Sequence, residues 1–219
     1  MDRSELLRHV DHTLLRPDAT WVEMQQLCDE ALKYHTASVC VPPSYVTRCA
    51  NYLRGRIPVC TVVGFPNGYN TTKIKAFEAA EAVQNGADEI DMVVNLGWVK
   101  DEQWGLVMNE IQTVKRAADG KPLKVIVETC LLTDAEKCRL CRMVTQGKVD
   151  YIKTSTGFST GGATREDVAL FAENIGPAVK IKAAGGISTL QDAEDFLALG
   201  ADRLGTSRIV KLIMEEEGL

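Results

Sequence analysis

The chain has 219 residues, 45% hydrophobic and 25% charged, with a formal net charge of −5, and this predicts one domain spanning residues 1–219 with a sizeable core. The acidic balance argues against nucleic acid or an anionic membrane as the main partner, while leaving room for a small anion held by a local cluster of lysines and N–H groups. No apolar run approaches the ~20 residues that span a bilayer, and MDRSELLRHVDHTLL lacks a signal peptide's apolar middle and cleavage site, so a cytoplasmic location is expected.

Along the chain, short apolar runs rich in β-branched residues alternate with longer amphipathic stretches. The predicted strands are Val10–Leu14, Ala37–Val41, Val59–Val63, Glu89–Val94, Leu123–Glu128, Tyr151–Thr154, Val179–Ala183 and Arg203–Thr206. Between them lie helical patterns. TKIKAFEAAEAVQNG repeats apolar residues at i, i+3, i+4 and closes on a glycine, and STLQDAEDFLALG opens on Ser188 as N-cap and ends at Gly200. Strand and helix repeated about eight times imply a parallel sheet. The short, even unit and the count of eight favour a closed (β/α)8 TIM barrel over an open doubly wound sheet. Neither G-x-G-x-x-G nor G-x-x-x-x-G-K-[ST] occurs to indicate a dinucleotide or P-loop site.

The seven cysteines are expected to be reduced thiols. Cys138 and Cys141 form a C-x-x-C inside a helical pattern, where i and i+3 share one face, and no second pair or histidine cluster accompanies them. Helix packing is the expected role, and no metal is expected. His9, His12 and His35 also lack metal-ligand spacing.

In such a barrel the active site lies where strands end and the following loops begin. Polar residues interrupt the apolar strands there: Asp11 and Thr13, Asp91 and Asn95, Glu128, Lys153 in YIKTSTGF, and Lys182 in VKIKA. Lys153 and Lys182 fall on neighbouring strands at equivalent heights. Two close ammonium groups in a partly dry cavity disfavour each other's charge, so one of them is expected to titrate below the usual ~10.4. A neutral lysine amine attacks carbonyl carbon to form a Schiff base, the second lysine assists proton transfer, and Asp91 handles hydroxyl protons or a water. The bland alternatives are solvated strand-end lysines, a plain ion-pair network, Glu128 as partner of a nearby lysine, and Asp11 with Thr13 as loop caps.

Glycines follow both lysines, Gly157 after the first and Gly185–Gly186 after the second, and RLGTSR repeats the pattern in the last unit. Glycine admits close approach of backbone N–H groups to an oxyanion, and barrels bind phosphate after their last two strands. A phosphate site is therefore expected there, with Ser207 and Arg208 as further contacts.

These residues resemble a known family. DHTLL, VCVPP, GFPNG, EIDMVVNLG, KVIVET, YIKTSTGF, KAAGGI and RLGTS occur in the order and spacing of deoxyribose-phosphate aldolases, from about residue 9 to residue 210. The resemblance implies a class I aldolase on a (β/α)8 barrel, without metal or cofactor, that interconverts 2-deoxy-D-ribose 5-phosphate with D-glyceraldehyde 3-phosphate and acetaldehyde. It implies Lys153 as the Schiff-base lysine, Lys182 as the lysine that perturbs it, Asp91 as the proton-relay aspartate, and Asp11 with Thr13 as a supporting acid–hydroxyl pair. Cys40 matches a strand-end cysteine near the substrate. Thr156, Gly157, Gly185, Gly186, Gly205 and Ser207 match positions around substrate and phosphate. Some members carry a lysine after the TSTG segment, where this chain has Phe158, and some end in a tyrosine-bearing tail, where this sequence ends in GL. The expected partners are small sugar phosphates and aldehydes together with further copies of the chain, as a homodimer or homotetramer. The rival readings are an acid–base sugar-phosphate isomerase built on a carboxylate pair, a Schiff-base aldolase of transaldolase type, and a non-enzymatic phosphate sensor.

Overall fold

The computed structural model describes residues 1–218; Leu219, the last residue of the GL end, lies outside them. Eight strands follow in sequence order: β1 (Val10–Thr13), β2 (Ser38–Val41), β3 (Val59–Val63), β4 (Glu89–Val93), β5 (Leu123–Ile126), β6 (Tyr151–Lys153), β7 (Lys180–Ala184) and β8 (Arg203–Thr206). Every neighbouring pair is parallel, and β1 pairs with β8, closing the barrel. Each strand lies within about one or two residues of its sequence-based position. The fifth ends earlier than Glu128 because that residue takes a left-handed conformation (φ 54°) and turns the chain out of the sheet.

The helices are α1 (Arg3–Leu7), α2 (Trp21–Tyr34), α3 (Val46–Leu53), α4 (Thr72–Gln84), α5 (Leu96–Lys100), α6 (Trp104–Ala117), α7 (Asp134–Gln146), α8 (Arg165–Asn174), α9 (Leu190–Ala198) and α10 (Ile209–Glu216). The short α1 precedes the barrel, and α5 is an extra turn after β4. The STLQDAEDFLALG helix is capped by Thr189, not by Ser188: the Thr189 hydroxyl accepts from the Asp192 N–H, while the Ser188 and Thr189 N–H groups both donate to the Asp192 carboxylate. Asp192 thereby completes the capping box, and the helix starts one residue later than the serine implies.

Side chains alternate between the two faces of each strand. The outward set, which includes Val39, Val59, Ile90, Met92, Val125, Ile152, Ile181 and Leu204, packs with the helices as one apolar layer. The inward set is unusually polar, and a small apolar group of Cys40, Cys60 and Val62, flanked by Leu15 and Phe65, lines it on one side.

A buried ion pair pins the end of β4. Lys75 on α4 and Glu110 on α6, both fully buried, lie 2.7 Å apart; Lys75 Nζ also donates to the Val93 carbonyl at 2.8 Å, and Glu110 accepts from the Asn95 N–H at 2.9 Å. Burial pushes the Lys75 ammonium down and the Glu110 carboxyl up, and each group draws the other back. Gly64 (φ 61°) leaves the space this lysine occupies, since a Cβ there would stand 2.7 Å from Lys75 Cε. Cys138 and Cys141 both lie on α7, where Cys141 packs into the buried core and burial pushes its thiol up to about 12.

Candidate active site

Register brings the two sequence-singled lysines together. Lys153 on β6 is the direct partner of Lys182 on β7. Both ammonium groups lie 2.7 Å from the same oxygen, Asp91 Oδ2, contributed by β4 from across the barrel. Lys182 and Asp91 are completely buried, and Lys153 is 3% exposed.

Carboxylates surround the two lysines, and Lys182 is the one they hold protonated. Burial disfavours the Lys182 cation, yet Asp11 and Asp91 outweigh it and hold this lysine above the ordinary lysine range. Lys182 Nζ is ion-paired to Asp11 Oδ2 as well as to Asp91. Burial likewise pushes the Asp91 carboxyl up, but Lys124, Lys153 and Lys182 together keep it well below the usual carboxylate range. Asp11 stays ionised for the same reason, with Lys182 and Arg203 as its main partners.

Four members of this cluster escaped the sequence reading. Lys124 on β5 is fully buried and lies 2.8 Å from Asp91 Oδ1 and 2.6 Å from Glu89 Oε2. Arg203 at the start of β8 reaches both Asp11 Oδ1 (2.5 Å) and Glu89 (3.2 Å). Cys60 on β3 donates its thiol to Asp91 Oδ1 at 3.1 Å, and burial keeps that thiol protonated by pushing its titration well up. Strand periodicity held a signal for three of them: Glu89 stands two before Asp91, Lys124 two before Ile126 and four before Glu128, and Arg203 two before Gly205, so each shares the inward face.

Ligand-type atoms of Cys40, Cys60 and Asp91 come within 4.8 Å of one another. Both Asp91 oxygens already accept from lysines, however, and Lys124 Nζ also lies 3.4 Å from Cys60 Sγ. Ammonium groups thus hold the position a cation would take. Cys40 itself is fully buried beside Cys60 and does not reach the cavity surface.

Above the cluster, a cavity of about 380 Å³ opens at the C-terminal ends of β6, β7, β8 and β1, a size that suits a small phosphorylated sugar. Lys153 forms its floor. Thr13, Thr156, Gly157, Gly185, Gly186, Gly205 and Ser207 line it, as does Phe158. Its charged lining residues are Arg16, Lys153, Arg208 and Lys211, with no carboxylate among the described lining residues, so the site opposes the chain's global charge.

Local geometry assigns the remaining sequence-singled positions. Among the described residues Glu128 pairs with no lysine: its carboxylate accepts the Thr156 N–H (3.2 Å) and the Thr156 hydroxyl (2.5 Å), and the Thr156 hydroxyl oxygen in turn accepts the Phe158 N–H (3.0 Å). This is how the β6 loop is shaped. Asn95 serves as N-cap of α5, its Oδ1 accepting from the Trp98 N–H. The Thr13 hydroxyl donates to the Asp11 backbone carbonyl at 2.7 Å, so it makes no side-chain pair with the Asp11 carboxylate. Phe158 stands edge-on to Phe65, centroids 5.3 Å apart, and closes one side of the cavity with apolar surface.

Three glycines on this rim have positive φ: Gly157 (83°), Gly185 (76°) and Gly186 (74°). The loop that folds over them was not foreseen. Gly162 packs so closely that a Cβ would stand 2.4 Å from the Gly185 carbonyl carbon, and the Ala163 N–H donates to Ala184 and Gly185 carbonyls. The N-terminus of α9 is satisfied by its own capping box, whereas Arg208, the N-cap of α10, makes no side-chain cap. The first-turn N–H groups of α10, next to the lining residues Ser207, Arg208 and Lys211, thus have no side-chain cap.

A family model described as DeoC/LacD family aldolase matches residues 6–204. A Streptococcus pyogenes protein named deoxyribose-phosphate aldolase is 56% identical over 216 residues, covering 99% of this chain and 97% of that one. Among solved structures, a Coccidioides immitis chain superposes with a TM-score of 0.95 at 39% identity, covering 99% of this chain and 87% of its own. The tetrameric deoxyribose phosphate aldolase of Aeropyrum pernix gives 0.91 at 30% identity, covering 99% and 92% respectively.

Proposed function

The chain belongs to the DeoC/LacD aldolase family, and we propose that it is a class I lyase that reversibly cleaves 2-deoxy-D-ribose 5-phosphate to D-glyceraldehyde 3-phosphate and acetaldehyde through a Schiff base on Lys153. One observation carries the choice of nucleophile: of the clustered ammonium groups, Lys153 alone reaches the cavity, while Lys124 and Lys182 lie beneath it. A cavity with no carboxylate among its described lining residues also speaks against an isomerase using a carboxylate pair.

In this reading the Lys153 amine attacks the C1 aldehyde of the open-chain sugar and water leaves, giving an iminium. The C3 hydroxyl loses its proton as the C2–C3 bond breaks, and that electron pair moves into the enamine of the remaining two carbons. Glyceraldehyde 3-phosphate departs; the enamine is protonated at C2, and hydrolysis releases acetaldehyde and the free lysine. Lys182, held protonated between Asp11 and Asp91, supplies and recovers protons one strand away. Gly185, Gly186, Gly205, Ser207 and the open α10 N-terminus hold the phosphate, aided by Arg208 and Lys211. Binding there is remote from the reacting carbons and fixes the cleaved bond over Lys153. No helix among the described residues is long and apolar enough to cross a membrane; we place the enzyme in the cytoplasm as a homodimer or homotetramer, the latter in line with the Aeropyrum pernix relative.

The test is reductive trapping with acetaldehyde followed by peptide mass spectrometry. An ethyl group on Lys153 supports the reading, and an ethyl group on Lys182 reverses the two lysines. A folded protein that binds sugar phosphate but takes no adduct refutes the Schiff base.

A further inference from the structure

The ion pairs beneath the cavity close on themselves. Asp91 Oδ1 meets Lys124 (2.8 Å), Lys124 meets Glu89 (2.6 Å), Glu89 meets Arg203 (3.2 Å), and Arg203 meets Asp11 Oδ1 (2.5 Å). Asp11 Oδ2 pairs with Lys182, and Lys182 returns to Asp91 Oδ2 at 2.7 Å. The result is a ring of six alternating charges drawn from β1, β4, β5, β7 and β8. Its three carboxylates balance its three cations. Lys153 hangs on this ring through Asp91 Oδ2 and is not part of it.

A balanced ring has no spare negative charge to offset a seventh group. When protonated, Lys153 shares Asp91 Oδ2 with Lys182 and stands as a fourth cation beside the ring's three carboxylates. Two buried thiols face this region: burial and the neighbouring Cys40 hold the Cys60 thiol on β3 protonated, whereas the hydrogen bond from Cys60 and the charges of Lys182 and Lys153 draw the Cys40 thiol on β2 down from its ordinary value. The Tyr151 ring on β6 lies against Lys124 and Arg203; around the cavity Arg16 is ion-paired to Asp18 and Glu23 and Arg208 to Glu215, and Lys211 also lines it. Ring neutrality in turn depends on Glu89 and Arg203, which line no part of the cavity. Arg203 meets both Asp11 and Glu89, and Glu89 bridges Arg203 to Lys124.

We infer that Glu89 and Arg203 are positioning residues that set the charge on Lys153 by closing this ring. The inference rests on Lys153 being the Schiff-base lysine. Removing the Glu89 charge leaves the ring with an excess of one positive charge and disfavours protonation of Lys153. Removing the Arg203 charge leaves it one negative charge in excess and favours protonation. Unit charges on the order of 10 Å apart at an effective dielectric near 20 move each other's titration by about one pH unit, so the two variants shift in opposite directions.

The experiment measures labelling of Lys153 by acetaldehyde and cyanoborohydride against pH, read by peptide mass spectrometry, in the unmodified protein, Glu89→Gln, Arg203→Met and the double variant. The expected midpoint falls by about one unit in Glu89→Gln, rises by about one unit in Arg203→Met, and returns close to the original in the double variant, where charge balance is restored. The acid limb of kcat/KM should follow the same order. A merely structural role lowers the labelled amount or the stability in each variant without opposite shifts. Should Arg203→Met not fold, Glu89→Gln against the double variant still decides the question. A labelled Lys153 with an unmoved midpoint overturns the positioning role alone. No label on Lys153 in the unmodified protein removes the Schiff-base reading and the positioning role with it.

Discussion

Gly205 leaves room for Lys182: a Cβ at residue 205 would stand 3.1 Å from Lys182 Cε and 3.0 Å from Ala184 Cβ. The glycine that the sequence reading placed beside the phosphate thus also shapes the buried lysine beneath it. Gly205→Ala is expected to displace Lys182 from Asp91, lower turnover by about tenfold and cost about 1–3 kcal/mol of stability, the usual range for overpacking. Steady-state kinetics with urea unfolding checks this; unchanged turnover means that Lys182 is not tightly held.

Lys182→Met removes one cation from the interior and leaves Lys153 as the group that must balance the remaining carboxylates. Turnover should fall at neutral pH and recover as pH rises and Lys153 loses its proton. A pH–rate profile distinguishes this from a loss that is equal at every pH, which would assign Lys182 to proton transfer alone.

Thr156→Val keeps the volume but removes the hydroxyl that donates to Glu128 and accepts from the Phe158 N–H. The loop bearing Gly157 should loosen, raising KM for the sugar phosphate by about tenfold, or ~1.4 kcal/mol. The rate with aldehydes that carry no phosphate should change little. Equal losses on both substrate types would refute a phosphate-side role for this loop.

Asp11 and Asp91 bind protons less readily in the fold than in the unfolded chain. Their stabilisation is therefore complete above the ordinary carboxyl range near 4 and is lost as pH falls through their depressed folded values. Lys124 and Lys182 are raised, so their contribution is complete below about 10.4 and is lost as pH climbs through their folded values. Urea midpoints should form a plateau between about pH 4 and pH 10 and decline on either side; a midpoint that keeps rising below pH 4 contradicts the ion-pair assignment.

Lys75→Met strands the fully buried Glu110 and should cost about 3–5 kcal/mol. The double variant Lys75→Met/Glu110→Leu should recover part of that loss, because it leaves no unpaired charge. Calorimetric melting of the three proteins provides the comparison, and a double variant worse than Lys75→Met would show that the Asn95 N–H bond to Glu110 outweighs the pair.

Much of the fold was legible because each unit is locally encoded. Runs such as KVIVE and VKIKA give a strand and the face of each side chain, and glycines 185 and 186 mark a turn that requires positive φ. The site was legible in part. Lys153 and Lys182 stood out as charges ending apolar strands, whereas Lys124, Glu89 and Arg203 begin or sit low on theirs and read as ordinary strand-edge charges. A lysine partner for Glu128 is one reading open in the sequence, where charge complementarity is visible, but a left-handed backbone that aims the carboxylate at Thr156 is not.

By itself, then, the sequence determined the alternation of eight strands with helices, the inward face of each strand, and the two lysines at matching heights, since periodicity and turn chemistry act over a few residues. Only the tertiary structure decided what those lysines touch. Asp11 and Arg203 are 192 residues apart, and Asp91 reaches Lys182 across the barrel. Closure of β1 on β8 brings these charges into a single ring, and burial then makes their balance decisive for which groups carry a proton.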